Sequence, residues 1–233
     1  MKTLIIIPTY NERDSIRALL ESIHVHLPTG DILVVDDGSP DGTGELVREI
    51  AATDARVRLL ERAGKLGLGT AYLAGFRDAL AAGYDYVAGM DADFSHDPAV
   101  LPQLVEAMAE SDLAVGSRYV PGGSTPDWGW HRRGVSRFGN WFARTLLRLP
   151  VRDCTTGYKC YRRELLEMLS LKPIDLVGYA FLIETTYRAV EAGARIKEVP
   201  ITFIDRRVGK SKMSIAIMIE AFRYVIRRRL GRP

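Results

Sequence analysis

The sequence predicts an α/β domain built on a mostly parallel central sheet with helices packed on both faces. Three observations carry that expectation. Four short apolar runs, at 3–7, 31–35, 57–60 and 86–90, each end in turn-forming or acidic residues. Segments with apolar residues at helical spacing lie between them, as at Ile16, Leu19, Leu20 and Ile23. The connections are long enough for right-handed crossovers, which leave consecutive strands parallel. At 233 residues the chain supports one sizeable core, and 1–233 reads as a single domain.

In chain order, residues 3–7 form a buried strand closed by Pro8, and Asn11 or Asp14 is expected to cap the helix that follows. The run at 31–35 is a second strand ending in Asp36 and Asp37, and DDGSPDGT is a turn-rich loop before a helix at 43–52. After a third strand at 57–60, AGKLGLGTAYLAGFRDALAAG reads as a glycine-rich loop running into a helix. The central strand, 86–90, follows, then a helix at 98–109 and a short strand at 113–116. PGGSTPDWGWHRRGVSRFGN is a long irregular stretch, of the kind that often forms a lid or binding segment. A helix at 135–149, with Phe138, Trp141, Phe142 and Leu146 on one stripe, is read as lying at a membrane surface or packing on the core. In the irregular stretch at 121–140 Trp and Arg interleave, which suits headgroup depth, while a surface loop with its tryptophans turned to the core is the competing reading.

Composition narrows the class. Hydrophobic residues make up 47% and charged residues 26% of the chain, as in a soluble globular protein. A net charge of +3 gives no argument for nucleic acid, although Arg and Lys crowd into 131–163 and 206–232. Cys154 and Cys160 are too few for a zinc cage, and Cys154 is expected to be a small buried residue. The amino-terminal apolar run is too short for a signal segment, and no stretch approaches the roughly 20 apolar residues that span a bilayer. The expectation is a cytoplasmic chain associated peripherally with the cytoplasmic face of a membrane.

The most informative stretch is VAGMDADFSHDP, where the central strand ends in Asp91 and Asp93. Acids at the carboxyl end of a buried parallel strand point into the crevice where such sheets bind ligands. Two carboxylates one residue apart suit Mg²⁺, which keeps water and substrate phosphate in its other positions. They also suit a turn and helix cap, a role Asp97 before Pro98 can take as well. Acid clusters close three strands in all, favouring a ligand that offers ribose or base donors. Neither a G-x-G-x-x-G after the first strand nor a Walker loop is present, which disfavours a dinucleotide dehydrogenase and a P-loop ATPase.

IPTYNE, VVDDGSPDGT, KLGLGTAY and MDADFSH, in that order, resemble glycosyltransferase family 2, whose fold is GT-A. GSRYVPGG, TTGYKCYRRE and VPITFIDRRVGKSKMS narrow the resemblance to the polyprenyl (dolichyl) phosphate mannose synthases. That resemblance implies a nucleotide-sugar half at 1–97, an acceptor half at 98–212 and a basic amphipathic helix at 213–233. It implies that Pro8, Tyr10, Glu12, Val35 and Asp37 line the nucleoside of GDP-mannose. Asp91, Ala92 and Asp93 would serve diphosphate and metal, Mg²⁺ or Mn²⁺, with Arg206 and Lys212 closing over the diphosphate. Arg118, Arg132 and Ser136 match the residues that hold the phosphate of polyprenyl phosphate, and Arg118 is carried with Asp91 and Asp93 as catalytic. Some members place Gln where this chain has Ser95, so Ser95 is not assigned as a metal ligand.

A phosphomonoester with its second pKa near ~6 is largely dianionic at pH 7 and acts as its own nucleophile. No general base is then required. Glu184 sits where the superfamily often positions an acceptor-side acid, but an ion pair with Arg188 is the plainer expectation. The final helix carries Ile215, Ile219, Phe222 and Ile226 with Arg227, Arg228, Arg229 and Arg232. It reads as a lipid-surface anchor, a dock for a separate membrane-anchoring subunit, or a core-packed helix with a basic tail. The rival functions are transfer of glucose or another sugar from a UDP-sugar to the same lipid, and a non-catalytic nucleotide-sugar sensor.

Overall fold

The computed structural model describes residues 1–169, 178–205 and 215–231. Arg206, Lys212 and Arg232 lie outside the described residues, so their expected roles are not placed. The chain begins β1 (Thr3–Thr9), α1 (Arg13–His26), β2 (Gly30–Asp36), α2 (Thr43–Ala51), β3 (Val57–Glu61), α3 (Leu68–Ala82) and β4 (Tyr86–Gly89). A 3₁₀ turn at Pro98–Val100 runs into α4 (Leu101–Ala107), then β5 (Leu113–Ser117) and α5 (Trp130–Leu147). The remainder is β6 (Lys159–Arg162), α6 (Arg163–Met168), α7 (Tyr179–Glu191), β7 (Ile196–Pro200) and α8 (Ile215–Arg229).

The strands form one sheet in the order β3-β2-β1-β4-β6-β5-β7. All neighbours are parallel except β6, which runs antiparallel between β4 and β5. Alternation along each strand divides the core between the two faces. Ile5, Ile7, Ile32, Val34 and Ala88 pack under α1, α2 and α4. Leu4, Ile6, Leu33, Val35 and Val87 pack under α3, α6 and α7. A third cluster joins α5, α7 and α8 through Leu147, Val151, Ile183, Ala221 and Val225. Losing one such side chain, as in Ile6→Ala, is expected to cost about 2–5 kcal/mol.

Several local expectations are corrected. Neither Asn11 nor Asp14 caps α1: Glu12 is the cap residue and makes no side-chain cap bond. The first-turn amide of Arg13 instead donates to Asp41, which also accepts from the amide of Thr43 at the start of α2. One loop carboxylate thus serves two helix starts. The helix expected at 135–149 begins earlier, at Trp130, and therefore takes in half of the stretch read as irregular. It ends where Arg148 adopts a left-handed conformation at φ 55°. The expected helix at 98–109 opens with the 3₁₀ turn, capped by the Asp97 side chain, which accepts from the Ala99 amide at 2.9 Å.

Candidate active site

The carboxyl ends of β1, β2 and β4 open side by side, as the register Pro8↔Val35 and Ile6↔Gly89 requires. Helix α3 lies so close to β4 that a Cβ at Gly89 would fall 2.7 Å from the Tyr72 ring, so only glycine fits there. Beyond it, Asp91 keeps 37% of its side chain exposed, whereas Asp93 is 7% exposed and accepts from the Ser95 amide at 3.0 Å. Between them and Ser95, Phe94 sits at φ 60°, a strained conformation for an aromatic residue and a recurrent feature of functional sites. Asp97 performs the capping, so the cap half of the competing reading does not account for Asp91 and Asp93, while the turn half holds for Asp93 through its bond from the Ser95 amide.

His96 lies behind this pair, 1% exposed and stacked on Tyr158 at 4.7 Å. Its Nδ1 accepts the Asp91 amide at 3.1 Å, and burial lowers its pKa. The 3.9 Å approach to the Asp91 carboxylate is therefore made by a neutral ring and is not an ion pair. The TTGY segment crosses the same spot: a Cβ at Gly157 would lie 3.3 Å from the Tyr72 hydroxyl and 3.5 Å from Asp91 Oδ1. The buried hydroxyls of Tyr72 and Ser95 have no hydrogen-bond partner among the described residues.

The other expected donor residues divide into two groups. Tyr10 stands at the end of β1 with Lys65 Nζ 4.7 Å from its ring centre, and Pro8 and Glu12 are partly exposed beside it. The amide of Glu12 donates to Thr43 at 3.0 Å. Val35, by contrast, is wholly buried among the core residues under α3, and Ala92 is 4% exposed. Asp37 accepts from Arg62 Nε at 2.6 Å and from the amides of Leu66 and Gly67, so it fastens the glycine-rich loop. Asp36 likewise accepts from Thr9 and Ser39. The acid clusters of the DDGSPDGT loop are thus largely occupied in shaping it.

Across from β4, Arg118, Arg132 and Ser136 do come together, around Tyr119 and Trp128. Arg118, 7% exposed, makes a two-pronged bond to Asp153, both arms 2.7 Å. Burial by itself would lower the Arg118 pKa, but the Asp153 carboxylate outweighs it and the net shift is upward. Arg132 bonds both oxygens of Asp205, at 2.6 and 2.7 Å, and stacks over Trp128 at 4.1 Å. Ser136 accepts from the Tyr119 hydroxyl at 2.6 Å. Trp128 is 6% exposed, while Trp130 and Trp141 are 75% and 57% exposed, so the tryptophans split between core and solvent. Asp153, Asp205, Tyr119 and Trp128 were not singled out from sequence. Asp153 lies in the acceptor half that the resemblance implies, two residues before TTGYKCYRRE, which was the available signal.

Glu184 forms the expected ion pair: its Oε1 accepts from Arg188 Nε at 2.6 Å, and its other oxygen accepts from Tyr224 of α8. Burial pushes the Cys154 thiol up to about 12, and the residue is fully buried, as expected. Helix α8 packs its Val225 and Phe222 inward against α5 and α7, yet Ile219 and Ile226 stay 45% and 46% exposed.

Fold and site together define a crevice at the carboxyl ends of an open α/β sheet, the place where such sheets bind ligands, with acids on one wall and arginines on the other. The sequence profile of Glycosyl transferase family 2 matches residues 4–169. A polyprenol monophosphomannose synthase of Mycolicibacterium smegmatis is 49% identical over 222 residues, spanning 94% of this chain and 84% of that protein. An undecaprenyl-phosphate mannosyltransferase of Micrococcus luteus is 47% identical, spanning 95% and 91%. Among solved structures, a glucosyl-3-phosphoglycerate synthase of Mycobacterium tuberculosis, solved with Mn²⁺ and UDP, superposes with a TM-score of 0.71 over 100% of this chain and 81% of that one. Its 21% identity speaks to the fold alone. The chain belongs to glycosyl transferase family 2 and is a glycosyltransferase with the GT-A fold.

Proposed function

We propose that this chain transfers mannose from GDP-mannose to a polyprenyl (dolichyl) phosphate, inverting the anomeric carbon to give a β-linked mannosyl phosphate. The names of the two relatives at 49% and 47% identity support the sugar and the lipid acceptor. The observation that carries the reaction type is the state of Glu184. The acid available as an acceptor-side base is held by Arg188 and Tyr224, 4% exposed, so it is poorly placed to deprotonate a sugar hydroxyl. A phosphate dianion needs no base.

Asp91 and Asp93 fit a hard divalent cation. They supply two carboxylates, and the Ser95 hydroxyl beside them, without a partner among the described residues, can reach it through water. Among the described residues no cluster of three or more ligating side chains exists, which suits a metal completed by substrate oxygens rather than a protein cage. When bound there, Mg²⁺ or Mn²⁺ supplies Lewis-acid stabilisation to the departing diphosphate. Tyr10 and Lys65 offer an aromatic face and a cation to the nucleotide at the β1 end. Arg118 and Arg132 offer fork-shaped donors to the acceptor phosphate, and Ser136 a hydroxyl. Arg206 and Lys212 belong to this reading as cationic cover for the diphosphate.

The chain would work at a bilayer surface. Trp130, Phe138, Trp141, Ile219 and Ile226 are exposed beside numerous arginines on α5 and α8. No helix among the described residues is long and apolar enough to cross a membrane. The deciding experiment is transfer of radiolabelled mannose from GDP-mannose to a short polyprenyl phosphate, with Mg²⁺ or Mn²⁺ and with EDTA, and UDP-glucose in parallel. Metal-dependent mannosyl lipid is expected. Transfer from UDP-glucose alone would overturn the donor, and donor binding without transfer would favour the sensor reading.

A further inference from the structure

A concavity lined by Arg118 and Tyr119, but not by Arg132 or Ser136, lies against α5. Its volume is about 570 Å³, within the ~300–1,000 Å³ of small-molecule sites. Arg118 and Tyr119 line it together with Arg137, Arg144, Arg152 and Trp141. Arg137, Asn140, Trp141 and Arg144 fall on one face of α5, at the i, i+3, i+4 and i+7 positions. Asn140 holds this wall rigid, since its amide donates to Ser136 and Thr155 while its oxygen accepts the Cys154 amide at 2.8 Å.

The charge pattern is what sets this cavity apart. Arg118 is neutralised by Asp153, and Glu198 contributes a carboxylate nearby that accepts from the amides of Arg152 and Asp153. The guanidinium groups of Arg137, Arg144 and Arg152 have no carboxylate partner among the described residues. Other arginines of the chain do meet carboxylates, as in Arg48 with Glu61, Arg58 with Asp78 and Arg195 with Asp112, and it is the gathering of three unmatched ones around one concavity that matters here. Like charges gathered around a concavity repel until an anion enters. A planar guanidinium is the donor best suited to a phosphate oxygen pair. Trp141, 57% exposed at the rim and 5.8 Å from Phe138, supplies the apolar shoulder typical of headgroup depth.

We propose that this arginine-lined cavity binds the phosphodiester headgroup of an anionic phospholipid, orienting α5 on the bilayer beside the acceptor site. The inference rests on the reading that the chain works at a membrane surface; the cavity adjoins the site expected to hold polyprenyl phosphate and shares Arg118 with it, while Arg137, Arg144 and Arg152 belong to the cavity alone. A membrane lipid is favoured over a soluble phosphate because the rim carries exposed aromatic rings that a free ion would leave in water.

The test is flotation of the full chain, without nucleotide or metal, on vesicles of three kinds: phosphatidylcholine, phosphatidylcholine with phosphatidylglycerol, and phosphatidylcholine with polyprenyl phosphate. The variant carries Arg137→Gln, Arg144→Gln and Arg152→Gln together, and GDP binding by that variant checks that it is folded. Each basic residue near an anionic surface adds to membrane affinity, so binding to the phosphatidylglycerol vesicles should weaken about tenfold or more. Removing the same charge from α8, with Arg223→Gln, Arg227→Gln and Arg229→Gln, should weaken it less. Retained binding in the cavity variant, with loss in the α8 variant, would overturn the site while leaving the membrane reading intact. Absence of binding to every vesicle would overturn the membrane reading itself. Displacement by inorganic phosphate but not by chloride at equal ionic strength would make this a free-phosphate site and overturn the lipid assignment.

Discussion

On the β4 side of the crevice, Asp91 presents a carboxylate 37% exposed, and Ser95 keeps a hydroxyl without a partner among the described residues. On the α5 side, both cations of the expected phosphate set are already matched, Arg118 by Asp153 and Arg132 by Asp205. One wall keeps a carboxylate edge open to solvent, and on the other a phosphate would have to displace the carboxylates that the cations already hold. The difference predicts different failures. Removing an acid from the first wall should strike the chemical step, whereas disturbing the second should strike folding or acceptor affinity.

The largest effect is expected at Asp93. Asp93→Ala should lower kcat by about 10³-fold or more, the scale of losing a preorganised electrostatic element, with the urea midpoint little changed. Full turnover in that variant would remove the metal assignment. Next is the buried pair. Asp153→Asn strands the Arg118 guanidinium, and breaking one partner of such a pair costs about 3–5 kcal/mol in urea unfolding. Replacing both, as Arg118→Met with Asp153→Leu, should recover much of that stability while acceptor use stays lost. Loss of stability without loss of acceptor use would make Arg118 purely structural.

The contrast between the walls was only half legible in the sequence. The strands of the first half announce themselves as β-branched apolar runs, and the acids at the β4 end follow directly from reading where that run stops. Strand β6 gives no such signal: Lys159–Arg162 carries two cations, and its antiparallel place between β4 and β5 is set by pairing distant in sequence. Strand β7, Ile196–Pro200, is mixed in character for the same reason, an edge position with little burial. The partners of the arginines are equally remote, Asp153 being 35 residues from Arg118 and Asp205 being 73 from Arg132. Local pattern also misplaced the cap of α1, because the carboxylate that serves it, Asp41, arrives from another loop.

A smaller effect sharpens the exchange argument at Arg132. Arg132→Ala should raise the apparent KM for polyprenyl phosphate about ten- to hundredfold, the range of about 1.5–3 kcal/mol for hydrogen bonds to a charged group, with the donor KM unchanged. Asp205→Asn removes the carboxylate that competes with phosphate and should lower that KM severalfold. An Arg132→Ala enzyme with ordinary lipid dependence would put the acceptor elsewhere.

The smallest effect concerns a third cation, Lys159 of β6, which is matched by neutral acceptors on α7. It is fully buried, and its Nζ donates to the Leu182 carbonyl at 2.7 Å and to Thr186 at 2.8 Å. Burial pulls its pKa from the ordinary 10.5 down to about 7. Between those values the unfolded chain holds a proton that the native chain lacks, so stability should climb as pH rises from about 7 toward 10.5. Below about 7 both states are protonated, and the native state bears the full desolvation penalty. The contribution is at most about 1.4 kcal/mol per pH unit. Lys159→Met leaves the Leu182 carbonyl bonded to the Thr185 and Thr186 hydroxyls, so the variant should fold. Urea midpoints for both proteins across this pH range should then show the variant's rise to be the shallower. Equal slopes would mean that Lys159 stays protonated in the fold, with those three oxygens compensating for its burial as fully as Asp153 does for Arg118.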